Sequence, residues 1–66
     1  MTEPLTPREQ AVAEAMRTAR SEADAAHRLG LSPHTVHAYL RSARAKRNVR
    51  TTRALVASLA STHERG

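Results

Sequence analysis

Apolar side chains recur at the three- and four-residue spacing of an α-helix in four segments of the chain. Thr6, Ser21 and Ser32 precede the first three segments, and hydroxyl side chains at such positions cap helix N-termini. Gly30 and Asn48 follow the second and third segments, where a left-handed residue commonly ends a helix. No segment alternates apolar and polar residues as a strand does. The pattern predicts an all-α fold with helices at about residues 7–18, 22–29, 33–47 and 52–61, and we expect the tail STHERG to fray.

Two of the predicted helices begin with a specific signal. Thr6 and Glu9 have the spacing of a capping box, in which each side chain bonds the backbone of the other residue. Leu31 and Val36 have the spacing of a hydrophobic staple, and Pro33 suits the first position of the third helix. The start of the third helix is therefore well defined by local sequence.

The third predicted helix has two contrasting faces. Its inner face is apolar and consists of Val36, Leu40 and Ala43. Its outer face contains no acid and carries His34, His37, Ala38, Arg41 and Arg44. It follows the second helix after a turn that contains glycine. This is the arrangement of a helix-turn-helix, whose second helix enters the major groove of DNA.

The size and composition leave little room for other functions. The chain has 66 residues, so we expect one domain over residues 1–66. It contains thirteen alanines but no Phe, Trp or Cys, and so thin a core does not enclose a catalytic cleft. We therefore expect no enzymatic activity, no cofactor and no small-molecule substrate. The polar N-terminus is not a signal peptide and no apolar run could span a membrane, so we expect a cytoplasmic chain.

The charge is distributed unevenly along the chain. The formal net charge is +5, and five of the six acids lie within the first 24 residues. From residue 25 to residue 63 there are seven basic side chains and no acid. Such asymmetry indicates a polyanionic partner, nucleic acid before a membrane surface. The alternative is a solvated basic face without a partner.

Longer motifs make the interpretation specific. "LTPREQ" at 5–10, "LGLSPHTV" at 29–36, "HAYLRSARAK" at 37–46 and "NVRTTRALV" at 48–56 resemble the LuxR/GerE-type helix-turn-helix domain, without gaps. The resemblance implies a four-helix DNA-binding domain of transcription regulators, usually dimeric through its last helix. GerE is a free-standing domain of similar size, and the initial Met favours a whole chain here as well.

The chain departs from the family at positions that are usually bulkier. Ala25, Ala43 and Arg47 stand where the family has larger aliphatic residues, and Ala19 replaces a glycine. A buried Leu or Ile reduced to Ala costs about 2–5 kcal/mol when the cavity stays open. We therefore expect a precarious monomer, and hypothesise that a dimer or partner interface compensates by burying Leu55, Val56 and Leu59.

The resemblance also assigns contact residues on the DNA. The implied base-reading residues are His37, Ala38 and Arg41. Arg41 can bind guanine O6 and N7, His37 can donate to a purine acceptor, and the Ala38 methyl can touch a thymine methyl. The expected phosphate contacts are Ser21, Ser32, His34, Thr35, Tyr39, Arg44, Lys46 and Arg50.

Several of these residues have structural alternatives. Ser21 and Ser32 are also plain helix caps, and Tyr39 could fill a gap in the core. Arg47 points toward the family's core side and could extend to a phosphate or a partner. His34 and His37, with His27 nearby, have a spacing that could hold a metal, but no Cys or carboxylate lies near them in sequence. We therefore expect no metal site.

Two acids close together in the second helix need a separate interpretation. Glu22 and Asp24 suit the positive end of the helix dipole better than they suit an acid/base pair.

Taken together, these features of the sequence predict a DNA-binding transcription regulator that recognises a pseudo-palindromic site as a dimer, in a bacterium or a phage. The alternative is a protein-interaction module that docks on RNA polymerase, a sigma factor or another regulator, with DNA binding secondary.

Overall fold

The computed structural model of the chain describes residues 3–64, and their side chains from residue 3 to residue 59. Within this range the chain forms four helices and no strand. The bounds are α1 Pro7–Ala15, α2 Glu22–Leu29, α3 Pro33–Arg47 and α4 Thr52–Glu64. The fold is the all-α, four-helix arrangement that the hydrophobic pattern predicts, and α2 and α3 have the predicted bounds.

Local hydrogen bonds explain why these helices begin where they do. The Oγ atoms of Ser21 and Ser32 accept hydrogen bonds from the backbone N–H groups of Asp24 and Thr35, both at 3.1 Å. At α4, the Thr51 hydroxyl accepts from Ala54 N at 3.0 Å. Each bond satisfies an N–H group that has no partner within its helix.

Left-handed residues end α2 and α3, as the sequence predicts. Gly30 has φ 70° and ψ 30°, and its N–H bonds the carbonyls of Ala26 and His27. Asn48 has φ 59° and ψ 43° at the end of α3. The glycine conformation turns the chain from α2 into α3, and so determines where the outer face of α3 points.

The first helix is shorter than the sequence predicts. It ends at Ala15, and residues 16–18 continue as tighter turns with bonds such as Arg17 N to Glu14 O at 3.1 Å. The guanidinium of Arg28 bonds the Thr18 hydroxyl at 2.8 Å and its carbonyl oxygen at 3.4 Å. This tertiary contact satisfies backbone and side-chain groups beyond the end of α1, so the helix need not continue to residue 18.

The last helix is longer than the sequence predicts. It continues through Glu64, so the backbone of residues 61–64 of the expected fraying tail is helical. The last two residues of that tail lie outside the described part of the chain.

The core is small and forms around α3, which packs against all three other helices. Its largest fully buried side chains are Val12, Val36, Leu40 and Leu55. Ala25 and Ala43 are also fully buried, so the helices meet over alanine at two of the positions for which the resemblance implies larger residues. Val36, Leu40 and Ala43 form the inner face of α3, as the pattern predicts.

The expected role of the last helix at an interface needs correction. Leu55 is fully buried and Leu59 is 6% exposed, and both belong to the core of the single chain. Because these side chains are already covered, they do not form a surface for a partner. Val56 is half-buried. The hypothesis that all three residues compensate for missing core volume at a dimer interface is therefore wrong for Leu55 and Leu59.

A buried carboxylate joins the N-terminal end of α1 to the C-terminal half of α3. Glu9 is 5% exposed and closes the predicted capping box, with its Oε1 accepting from Thr6 N at 2.9 Å. Its Oε2 also accepts from Ser42 Oγ at 2.6 Å, and its Oε1 lies 2.8 Å from Lys46 Nζ. One carboxylate thus caps one helix and anchors another.

The pKa of Glu9 reflects this environment. Burial by itself would raise the pKa of the carboxyl, because it penalises the charged form. Hydrogen bonds from Lys46, Ser42 and the Thr6 backbone, together with the positive charge of Lys46, outweigh burial and lower the pKa from 4.5 to about 2. The ionised form is therefore the one that the fold stabilises.

The Glu9 interaction predicts a measurable loss of stability in the variant Glu9→Gln. The amide keeps the size of the side chain but removes the ion pair with Lys46, and charge-assisted hydrogen bonds contribute about 1.5–3 kcal/mol. We expect urea denaturation at pH 7 to show a loss of about 1–3 kcal/mol. The matched control Glu14→Gln changes an exposed acid of α1 and should stay within about 0.5 kcal/mol of the wild type.

The same variant should differ from the wild type in its response to acid. Since the pKa of Glu9 is lower in the folded chain, the unfolded chain binds the proton first as the pH falls. The contribution of Glu9 is complete above pH 4.5 and is lost as the pH falls toward 2. Glu9→Gln should lack this part of the decline, and parallel pH profiles for the two chains would contradict the assignment.

The turn between α2 and α3 yields a second prediction. A Cβ at residue 30 would meet no atom within 4 Å, so Gly30→Ala tests backbone conformation alone. The left-handed conformation should make this variant less stable by about 1 kcal/mol in denaturant unfolding. Gly30→Asn should lose less, because asparagine tolerates this conformation and already adopts it at residue 48. Equal stability of wild type and Gly30→Ala would contradict this account.

Candidate nucleic-acid interface

The outer face of α3 is exposed along its first half. His34, His37, Ala38 and Arg41 are all exposed, while Val36 and Leu40 on the opposite side are fully buried. The buried pair seats the helix on the body of the protein. The four exposed side chains therefore share a surface that another molecule can reach, and we call these four residues the α3 face.

Two exposed basic side chains in the second half of the chain lack acidic partners. Within the described residues, Arg41 and Arg50 are exposed and neither has a hydrogen-bond or ion-pair partner. By contrast, Arg17 pairs with Glu14 and Arg28 pairs with Asp24. The unpaired cations supply positive charge that a polyanion can neutralise.

An acid borders the α3 face, although the sequence of α3 contains none. Oε1 of Glu22, at the start of α2, lies 3.2 Å from Nδ1 of His37. From the sequence, Glu22 is expected only to interact with the positive end of a helix dipole. Glu22 does stand in the first turn of α2. Its contact with His37 depends on how α2 packs against α3, and no sequence signal indicates it.

Apart from the exposed Arg50, the residues expected to bind phosphate divide into three groups. Ser21, Ser32 and His34 are exposed at helix N-termini, and Thr35 beside them is half-buried. Both serines act as caps, and the Ser32 hydroxyl also donates to Thr35 Oγ1 at 2.9 Å. Their positions leave a phosphate contact possible alongside the cap.

The second group, Tyr39 and Arg44, is half-buried. Tyr39 packs against the core cluster, which is the structural alternative to a phosphate contact. Arg44 Nη1 lies 3.4 Å from the hydroxyl of Thr52 at the start of α4. Both side chains therefore have roles inside the fold.

The third group is Lys46 alone, and the structure gives it a different partner from the expected one. Its side chain is 20% exposed and its ammonium group pairs with Glu9 inside the fold. A phosphate contact would break that pair and leave a buried carboxylate without its cation. We therefore remove Lys46 from the candidate interface.

Arg47 is half-buried and lines a surface hollow with Glu3, Pro4 and Ser58.

The described part of the chain shows neither a metal-binding cluster nor a membrane-spanning helix. No group of three His, Asp or Glu side chains there is placed to hold a metal ion. No helix in the same range is long and apolar enough to cross a membrane.

The comparison with protein families identifies the class of this domain. Residues 3–59 match the family described as bacterial regulatory proteins, luxR family, also called GerE. The match covers most of the chain, with α1, α2 and α3 complete and α4 as far as residue 59. The chain therefore belongs to this family. This family consists of DNA-binding helix-turn-helix domains of regulators and is not a family of enzymes. No curated protein and no solved structure matches the chain significantly.

Proposed function

We propose that the chain is a sequence-specific DNA-binding regulator of transcription that places α3 in the major groove. In this proposal Arg41, His37 and Ala38 contact base edges. Ser21, Ser32, His34, Thr35 and Arg50 contact phosphates, with Tyr39 and Arg44 as secondary candidates that would have to leave part of their present contacts.

One observation carries this proposal. Arg41 is exposed on the α3 face without any acidic partner among the described residues, next to His37 on the same helix. An isolated guanidinium on a helix of the right diameter can present two parallel donors to guanine, which is the commonest specific contact in protein–DNA complexes. Membership of the family supports the same function.

The proposal includes a homodimer on a pseudo-palindromic site in the bacterial cytoplasm. Two-fold related helix-turn-helix domains read half-sites about one helical turn apart. Leu55 and Leu59 are covered by the chain's own core, so a dimer contact through α4 would have to use more exposed positions such as Val56. Sedimentation of the chain with and without the selected duplex measures the stoichiometry directly.

The alternative function, a protein-interaction module that docks on RNA polymerase or another regulator, loses support from the structure. It rested partly on an apolar last helix available to a partner, and two of the three large side chains of that helix are buried. We therefore propose DNA binding as the single function.

Paired variants on the interface test the proposal. The site is first obtained by selection from random duplexes. Arg41→Ala should then weaken binding to that site by about 1–3 kcal/mol and relax the preference at one base pair. The matched variant Arg50→Ala removes another exposed cation without an ion pair, and should weaken all sequences about equally. If both variants weaken all sequences equally, Arg41 contacts a phosphate and the assignment of a base contact fails.

The salt dependence of binding tests the electrostatic part of the proposal. Neutralising about two phosphates per subunit, through Arg50 and Arg44, gives a slope of log K against log salt near −3.6 for a dimer and near −1.8 for one subunit. The slope should become less steep by about one per subunit in Arg50→Ala. An affinity that does not change with salt concentration would contradict the proposal.

A further inference from the structure

The contact between Glu22 and His37 places a hydrogen-bond acceptor beside a residue of the α3 face. Nδ1 of His37 lies 3.2 Å from Oε1 of Glu22, and the two residues are fifteen positions apart in the sequence. The side chain of His37 is 56% exposed and that of Glu22 is 37% exposed. A molecule that approaches the α3 face therefore meets His37 with its ring already bonded to α2.

The chemistry of this bond determines which ring nitrogen carries the proton. An ionised carboxylate only accepts hydrogen bonds, so Nδ1 of His37 must be the donor. In a neutral imidazole the other nitrogen, Nε2, then has no proton and is an acceptor. Nε2 has no hydrogen-bond partner among the described residues, so it remains available to a ligand.

We infer that Glu22 is a positioning residue that holds His37 in its Nδ1-protonated form, so that His37 selects a base with an amino group in the major groove. Cytosine presents its N4 amino group there and adenine its N6 amino group, whereas guanine O6 and N7 and thymine O4 are acceptors. The inference rests on the proposed function, and it reverses the expectation that His37 donates to a purine acceptor.

The role of Glu22 follows from comparing the ring with and without its partner. Without the carboxylate, a neutral imidazole exchanges between both tautomers and can either donate or accept through Nε2. His37 would then discriminate little between bases with amino groups and bases with acceptors. The negative charge near the α3 face is therefore used for specificity, although it opposes binding to phosphates in general.

Nitrogen-15 NMR of the free chain tests the tautomer without any DNA. At about pH 8.5, above the range in which histidine usually titrates, the wild type should show a His37 ring protonated mainly at Nδ1. The signal is assigned by its loss in His37→Gln. Glu22→Ala should shift the ring toward the Nε2-protonated form, and Glu22→Gln should give a mixture because an amide both donates and accepts. An unchanged tautomer ratio in Glu22→Ala would overturn the inference.

Binding to four probes then tests the consequence for recognition. The probes carry each base pair at the position of the selected site whose preference is lost in His37→Ala. At the same pH, the wild type should prefer cytosine or adenine by about fivefold, the value of one net hydrogen bond. Glu22→Ala should reduce this preference to less than about twofold, while Glu14→Ala, which removes an acid from α1, should keep it.

The remaining outcomes separate the inference from the proposed function. If the wild type binds no duplex, the proposed function fails while the NMR experiment still decides the tautomer. If DNA binding depends on Arg41 but Glu22→Ala keeps the full preference, the inference alone fails. If preference at some base pair is lost in Glu22→Ala but kept in His37→Ala, Glu22 contacts that base itself, which also overturns the positioning role.

Discussion

The fold depends on the carboxylate of Glu9, which bonds two helices that are far apart in the sequence. It closes the cap of α1 through Thr6 and accepts hydrogen bonds from Ser42 and Lys46 of α3. Four of the nine buried apolar side chains among the described residues are alanine, and small side chains interdigitate less than large ones and so determine the register of two helices less strongly. Directional bonds to a buried charge supply the register that the core volume does not.

This anchoring has a direct consequence for the α3 face. The helix is held near its start by the turn at Gly30 and the cap at Ser32, and near its end by Ser42 and Lys46. With both ends held and the inner side packed, the backbone positions that carry His37 and Arg41 are defined relative to the body of the protein. The basic residues are thus divided between two tasks, because Lys46 stabilises the body while Arg41 and Arg50 remain available for a polyanion.

The small size of the chain explains why α4 contributes to the core. A domain of about 60 residues buries only about 60% of its unfolded surface, so few large apolar side chains can be left on the surface. Leu55 and Leu59 belong to the core, with Leu55 fully buried, and α4 packs against both α1 and α3.

The local sequence determined the helices, their caps and the inner and outer sides of α3, because these features depend on residues within four positions of each other. Thr6, Ser21, Ser32, Gly30 and Asn48 act as their types predict, and the motifs at 29–46 identified the family. The predicted C-terminal ends of α1 and α4 were wrong. Beyond the end of α1, Arg28 bonds Thr18, a residue ten positions away, and a local pattern does not indicate such a contact. Only the tertiary structure brought Lys46 to Glu9, covered Leu55 and Leu59, and set Glu22 against His37. Such pairs depend on how helices cross, and the sequence of one helix carries no information about the residue that will face it from another.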